Sequence, residues 1–262
     1  MNQKALLVVS FGTSYEETRK KTIDKIEEDL AASFPDRRLY RAWTSKMIIK
    51  KLKNRDNIIV DTVPEALERM AADGVTDLLV QPTHVLNGLE NEWMREDILK
   101  VKDRFETIRI GDPLLMYTED FFTVIRGLMA SLPIPAEDEA LVFMGHGTSH
   151  STNMTYPALD YMFKDRGFPR VMIGTVEGYP ELDSVLRDLK EMKTVRKVYL
   201  APFMVVAGDH ALNDMAGDDE DSWKSQLTEA GYEVECILKG LGEFEALRKL
   251  FSEHAEKAEL LD

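Results

Sequence analysis

The stretch LLVVSFGTSY (residues 6–15) has a near-copy later in the chain, LVFMGHGTSH (residues 141–150). Each is a short apolar run that ends at a glycine turn. A run of this length bounded by a turn signal reads as a strand buried on both faces, as in a parallel sheet covered by helices. Set 135 positions apart, Gly12, Thr13 and Ser14 recur as Gly147, Thr148 and Ser149, whereas Phe11 is answered by His146. A second pair, DLLVQPTHVLNGLE (77–90) and KVYLAPFMVVAGDH (197–210), aligns 120 positions apart, with Pro82 on Pro202, Gly88 on Gly208 and Glu90 on His210. Two matches in the same order imply an internally duplicated chain whose second copy has acquired two imidazoles.

The rest of the chain repeats strand and helix in alternation. Ser14 with Glu17 has the spacing of a capping box before an amphipathic helix to about Ala32. LYRAW reads as a strand, followed by a basic helix, KMIIKKLKN, capped by Ser45. Thr62 with Glu65 is a second capping box, Pro64 suits a first helical turn and Gly74 a helix stop. Strands follow at TDLLVQPTHV and TIRIGDPLL, with a helix over ENEWMREDILKVKDRF between them and another near 118–130. SLPIPAEDE, with two prolines and three acids, reads as a linker. Beyond it the order repeats: strands at 139–145, 170–176, 196–204 and 232–238, with helices near 155–166, 180–193, 218–230 and 243–258. The fold class expected is α/β, with two pseudo-symmetric lobes, each a parallel sheet flanked by helices. The lobes are placed at residues 1–131 and 137–262.

With 262 residues, 44% hydrophobic and 31% charged, the chain has the composition of an ordinary globular protein. It lacks an apolar run of the roughly 18–20 residues needed to span a bilayer. The apolar run at its start is short and ends in a turn, so it reads as a first strand rather than a signal peptide. One cysteine, Cys236, cannot form an internal disulfide, and a cytoplasmic location is expected. The net charge of −14 argues against nucleic acid as a partner, since that needs a positive footprint. The charge is uneven. Residues 37–55 hold Arg37, Arg38, Arg41, Lys46, Lys50, Lys51, Lys53 and Arg55 without one acid, whereas DMAGDDED (214–221) holds five acids. The basic stretch, with Tyr40 and Trp43, suits a flat polycarboxylated ligand or else a solvated helix face.

In open parallel sheets ligands bind beyond the carboxyl ends of the strands. His146, Glu177 and His210 all follow such ends in the second lobe. Two imidazoles and a carboxylate can bind a divalent transition ion, and the imidazoles can also take up protons near neutral pH. His150 and His254 read as structural. His84, beside Pro82, is either a half-buried structural histidine or a site residue. Gly-His-Gly lacks the arginine that phosphohistidine chemistry needs, and the chain has neither a dinucleotide fingerprint nor a P-loop.

LLVVSFGTSY, FPDRRLYRAWTSKMIIKKLKNRD, FMGHGTSH, VEGYPELD and AGDHALNDMAGDDEDSWK with GLGE resemble the anaerobic-type cobaltochelatases of cobalamin biosynthesis. These are class II chelatases of the ferrochelatase superfamily. The resemblance spans nearly the whole chain, and AGDHALNDMAGDDEDSW is its most specific part. It implies a ferrochelatase-like fold with a tetrapyrrole between the lobes. It also implies ATP-independent insertion of Co(II) into sirohydrochlorin or its reduced precursor, a ring with eight carboxylates. The family's two key histidines fall on His146 and His210, its metal-binding glutamate on Glu177, and a first-lobe acid on Glu90. His146, His210 and Glu90 are thus the expected catalytic residues, and His146, Glu177 and His210 the metal ligands. No cofactor beyond the substrate metal is implied, and a homo-oligomer is compatible with the sequence. Phe11 could wall the ring, and the basic stretch could meet its rim. Two rivals share the pattern: a sirohydrochlorin ferrochelatase, and a non-catalytic carrier of metal or tetrapyrrole. A periplasmic binding protein is also two-lobed but would need a signal peptide.

Overall fold

The computed structural model describes residues 3–261. The chain divides into two units, one of residues 1–120 and 245–262, the other of residues 121–244.

The first unit opens with β1 (Gln3–Ser10), whose last six residues are all buried. α1 (Glu16–Lys21) and α2 (Ile23–Ser33) lead to β2 (Arg38–Trp43), and α3 (Lys46–Asp56) to the short β3 (Asp61–Thr62). α4 (Val63–Ala72), β4 (Val75–Pro82), α5 (Leu89–Leu99), β5 (Thr107–Ile110) and the start of α6 (Thr118–Met129) follow. Thr62 and Glu65 form the expected capping box, and Pro64 lies in the first turn of α4. The expected single helix over 14–32 is in fact two. Tyr15, not Ser14, occupies the cap position without a side-chain bond, and the Thr22 hydroxyl donates to the Thr18 carbonyl (2.6 Å) at the break. Such back-bonding competes with regular helix.

In the second unit β6 (Glu139–Gly145), α7 (Thr155–Asp165), β7 (Val171–Thr175), α8 (Leu182–Glu191), β8 (Lys197–Phe203), α9 (Trp223–Glu229) and β9 (Glu233–Cys236) alternate. A π-helical turn, Ala211–Met215, precedes α9. Two elements then return to the first unit: α10 (Glu245–Glu256) and β10 (Glu259–Leu260). The units therefore differ from the lobes expected at 1–131 and 137–262: residues 121–131 belong with the second unit and 245–261 with the first. Arg248 of α10 pairs with Asp29 of α2 (2.7 Å), and β10 runs antiparallel along β5, covering what would otherwise be an open sheet edge.

The sheet orders are β10-β5-β4-β1-β2-β3 and β7-β6-β8-β9. Apart from β10 every pairing is parallel, and β5-β4-β1-β2 has the same order as β9-β8-β6-β7. The register reproduces both sequence offsets. Val9 stands opposite Pro82 in the first unit, and Met144 opposite Pro202 in the second. Each sheet has its own apolar core: Leu7, Val9, Leu67, Met70 and Val80 in the first, and Val142, Met144, Val185, Leu200 and Trp223 in the second. Burying side chains of this size contributes about 1.5–3 kcal/mol each. The carboxyl ends of β1 and β6 are thereby fixed within rigid sheets.

Candidate metal centre

His146 leaves the central strand β6 through a turn that only glycine accommodates. Gly147 has φ +85°, and a Cβ there would stand 2.7 Å from the backbone of Glu177 and Gly178. The first unit has the same turn: Gly12 has φ +101°, with a Cβ 2.6 Å from the Trp43 ring. The backbone bonds beyond the turn also repeat. The carbonyl of Phe11 accepts from the Ser45 amide (3.2 Å), and that of His146 from the Glu177 amide (2.8 Å). The fold therefore equates Ser45 with Glu177 as well as Phe11 with His146. A third exchange follows β4 and β8, where Gly88 and Gly208 each accept at the first helical turn, from Glu92 (3.0 Å) and Leu212 (3.0 Å). That places Glu90 and His210 at equivalent positions.

Within the second unit the His146 and His210 rings meet edge to face, with centroids 4.7 Å apart at 89°. The Glu177 carboxylate lies 3.9 Å from His146 Nδ1. The same nitrogen is 3.0 Å from the Gly147 carbonyl, and His210 Nδ1 is 2.5 Å from Asp214 Oδ2. A carbonyl and a carboxylate accept, so both Nδ1 atoms carry their proton and both Nε2 lone pairs are left for a metal or a proton. The side chains of His146, Glu177 and His210 are 38%, 60% and 35% exposed, so an incoming ion can reach them. Among the described residues no three His, Cys, Asp or Glu side chains are drawn together as a ready metal cage. An ion whose destination is another ligand needs such an open, partly assembled set rather than a closed one.

Two positioning residues escaped the sequence reading. Asn153 ties the His146 loop to the Glu177 loop, its Oδ1 accepting from the Thr148 amide (3.0 Å) and its Nδ2 donating to the Tyr179 carbonyl (2.7 Å). No sequence signal marks it. Asp214, four residues after His210 on the π-helical turn, had one: an acid at helical spacing from a candidate ligand. Of the other histidines, His150 caps a short helical turn by accepting from the Thr152 amide (3.2 Å). His254 forms a buried ion pair with Asp120 (3.1 Å). Both are engaged in contacts that hold the fold together. His84 is buried in the first unit, and neither ring nitrogen has a hydrogen-bond partner. Burial pushes its pKa down to about 4.

The basic stretch divides in two. Arg37 is buried against Asp77 (3.1 Å), Arg38 pairs with Asp73 (3.1 Å), and Arg41 is held by Glu27 (2.5 Å) and Asp24. Arg55 bonds Asp56 and the Ser14 carbonyl. Arg37 and Arg41 brace the first unit from within, whereas Arg38 and Arg55 are paired at its surface. Glu90 lies half-buried in the first turn of α5 in that same unit.

A family model described as "Cobalt chelatase (CbiK)" matches residues 4–259. The sirohydrochlorin cobaltochelatase of Salmonella typhimurium is 45% identical over 256 residues, 98% of this chain and 96% of that one. The sirohydrochlorin cobaltochelatase CbiKC of Nitratidesulfovibrio vulgaris is 33% identical over 261 residues, 98% of this chain and 91% of the other. Among solved structures, SirB from Bacillus subtilis with Fe3+ superposes with a TM-score of 0.66 at 13% identity, over 97% of this chain and 95% of that one. CbiX, described as the terminal enzyme for biosynthesis of siroheme in denitrifying bacteria, gives 0.57 at 14%, over 97% and 99%. At those identities the two structures establish the α/β chelatase fold, while the family match and the two cobaltochelatases establish the family. The chain belongs to the CbiK cobalt chelatase family.

Proposed function

We propose that this protein inserts Co(II) into sirohydrochlorin, or its reduced precursor, without ATP, in the cytoplasm and in the course of anaerobic cobalamin biosynthesis. His146, Glu177 and His210 present the metal. The observation that carries this reading is the contact between two imidazoles whose Nδ1 atoms are both engaged, with a carboxylate beside them. No helix among the described residues is long and apolar enough to cross a membrane.

The chemistry balances as an exchange. A free-base macrocycle loses two pyrrole N–H protons as a dication enters, and the protein's ligands leave the metal as the ring nitrogens replace them. Each imidazole that lets go regains a free Nε2 lone pair, which can take up a proton released by the ring. His146 and His210 therefore act in sequence as ligand and base. Glu177 offsets the charge of the ion before transfer, and Glu90 supplies a further carboxylate base. Weak, mixed ligation favours release to the ring, and binding energy from the rim of the ring can hold it bent so that its lone pairs are exposed.

The test mixes purified protein with sirohydrochlorin and Co(II), then Fe(II) and Ni(II), and follows the absorbance of the ring. Multiple turnovers with cobalt, and a loss of roughly 100-fold or more in His146→Ala and His210→Ala, are expected. Near-wild-type turnover in both variants sinks the mechanism. Uptake that stops at one equivalent sinks the enzyme reading in favour of a carrier, and faster turnover with Fe(II) favours a ferrochelatase.

A further inference from the structure

Helix α3 is built against its own stability. Lys46 sits in its first turn, where the helix dipole favours acids and disfavours cations, and that turn holds no acid. The neighbouring helices follow the usual rule, with Asp24 in the first turn of α2, Glu65 in that of α4, and Glu90 and Glu92 in that of α5. Lys46, Lys50 and Lys53 then succeed one another at spacings of four and three residues, which places them on one face. Like charges at these spacings destabilise a helix, and no acid lies between Lys46 and Asn54 to relieve them. All three lysines are exposed, and among the described residues none has a carboxylate within ion-pair distance, Glu65 of α4 acting on Lys53 only from farther away. In a chain of net charge −14 whose nearby arginines are all matched by acids or carbonyls, this is conspicuous.

Location gives the cost a purpose. α3 begins at the carboxyl end of β2, directly after Ser45, the residue the repeat equates with Glu177. Its Ser45 amide is bonded to the carbonyl of Phe11. Phe11 is 43% exposed and Met47 75% exposed, so an apolar surface opens at the edge where a parallel sheet receives ligands. Lys51 lies over the Tyr15 ring (5.8 Å) and is set apart from the stripe.

We infer that Lys46, Lys50 and Lys53 are the cationic rail that grips carboxylates on the rim of the tetrapyrrole, while Phe11 and Met47 offer apolar surface to its flat face. This rests on the proposed function, whose substrate is a polycarboxylated ring. The second copy differs in the same place: it sends Glu177 out of the equivalent turn toward a cation, and the first copy sends Lys46 toward an anion.

The test is direct binding of metal-free sirohydrochlorin, followed by fluorescence, to wild type, to Lys46→Gln/Lys50→Gln/Lys53→Gln, and to a control, Lys190→Gln/Lys193→Gln on and just after α8. Exposed charge pairs of ordinary strength predict a roughly tenfold rise in Kd and in KM for sirohydrochlorin in the triple variant. Its salt dependence should be shallower, and its KM for Co(II) within about twofold of wild type. Thermal stability should not fall, because the lysines are a burden to α3. An unchanged Kd, or an equal loss in the control, overturns the rail. Wild type that binds the ring but never inserts cobalt overturns the chelatase reading while leaving the binding comparison valid. Wild type that fails to bind the ring overturns both.

Discussion

Replacing His84 by methionine transfers to the first copy the residue found at the equivalent place in the second, Met204, which lies two residues past Pro202 as His84 lies two past Pro82. Wild type buries an imidazole whose two nitrogens bond nothing, and burial lowers its pKa from 6.5 to about 4. The folded state therefore holds His84 neutral, while the unfolded chain takes up a proton below 6.5. Acid thus favours unfolding, and the stability lost to this group begins to go as pH falls through 6.5 and continues to go until about 4. Over the interval from pH 7 to pH 5 the linkage amounts to about 2 kcal/mol. Urea unfolding at both pH values is the assay. Wild type should lose about 2 kcal/mol more than His84→Met over that interval, and at pH 7 the variant should be no less stable, because an unsatisfied buried polar group costs about 1–3 kcal/mol. Identical pH dependence in the two proteins would refute the reasoning, since it would mean that the imidazole is not held neutral by its surroundings.

Asp214→Ala should raise KM for Co(II) roughly tenfold or more, in keeping with the loss of other second partners of metal-binding histidines. Asp214→Asn, which keeps an acceptor for Nδ1–H, should recover part of that loss, and steady-state kinetics with varied cobalt is the check. The His254–Asp120 pair should be strongest between about pH 3.8 and 6.5. Burial opposes the charge of His254, but its bond to Asp120 and the neighbouring Asp112 together outweigh it and raise the folded pKa, so its contribution is complete below 6.5 and fades as pH rises through the folded value. That of Asp120 is lowered despite burial, by His254 and the Tyr117 and Met116 amides, so its contribution fades in acid. His254→Gln should accordingly cost roughly 2 kcal/mol near pH 6 and less near pH 8.5, as read by thermal melts at the two pH values.

The sheets were legible in the sequence because buried parallel strands leave uninterrupted apolar runs such as ALLVVSF and ALVFMG, and a left-handed turn after a strand leaves a glycine. The candidate ligands were legible for a related reason: duplication supplies an internal control, so an imidazole opposite Phe11 or Glu90 stands out. Other features depend on contacts that leave no local trace. The amphipathic pattern of α10 says that one face is buried, but not that it is buried on α2. Arg37 and Arg41 read as available charge, because Asp77, Asp24 and Glu27 reach them only through tertiary structure. The equivalence of Ser45 with Glu177 was hidden because the connections from β1 to β2 and from β6 to β7 differ in length, so no single offset aligns both. Asn153 works through bonds to two loops, neither of which its neighbours in sequence foretell.

The return of α10 and β10 to the first unit separates the order of synthesis from the order of completion. Residues 121–244 form an unbroken segment, whereas the unit that begins the chain contains residues 245–262 as well. As the chain leaves the ribosome, β1 to β5 emerge before α10 and β10, so the edge of β5 and one side of α2 stay uncovered until residues 245–261 have followed. The second unit, emerging whole, has all of its sheet before then. A nascent chain thus carries an unfinished first sheet for the entire time that the second is being made, and residues 245–261 act as the closing piece of that first structure.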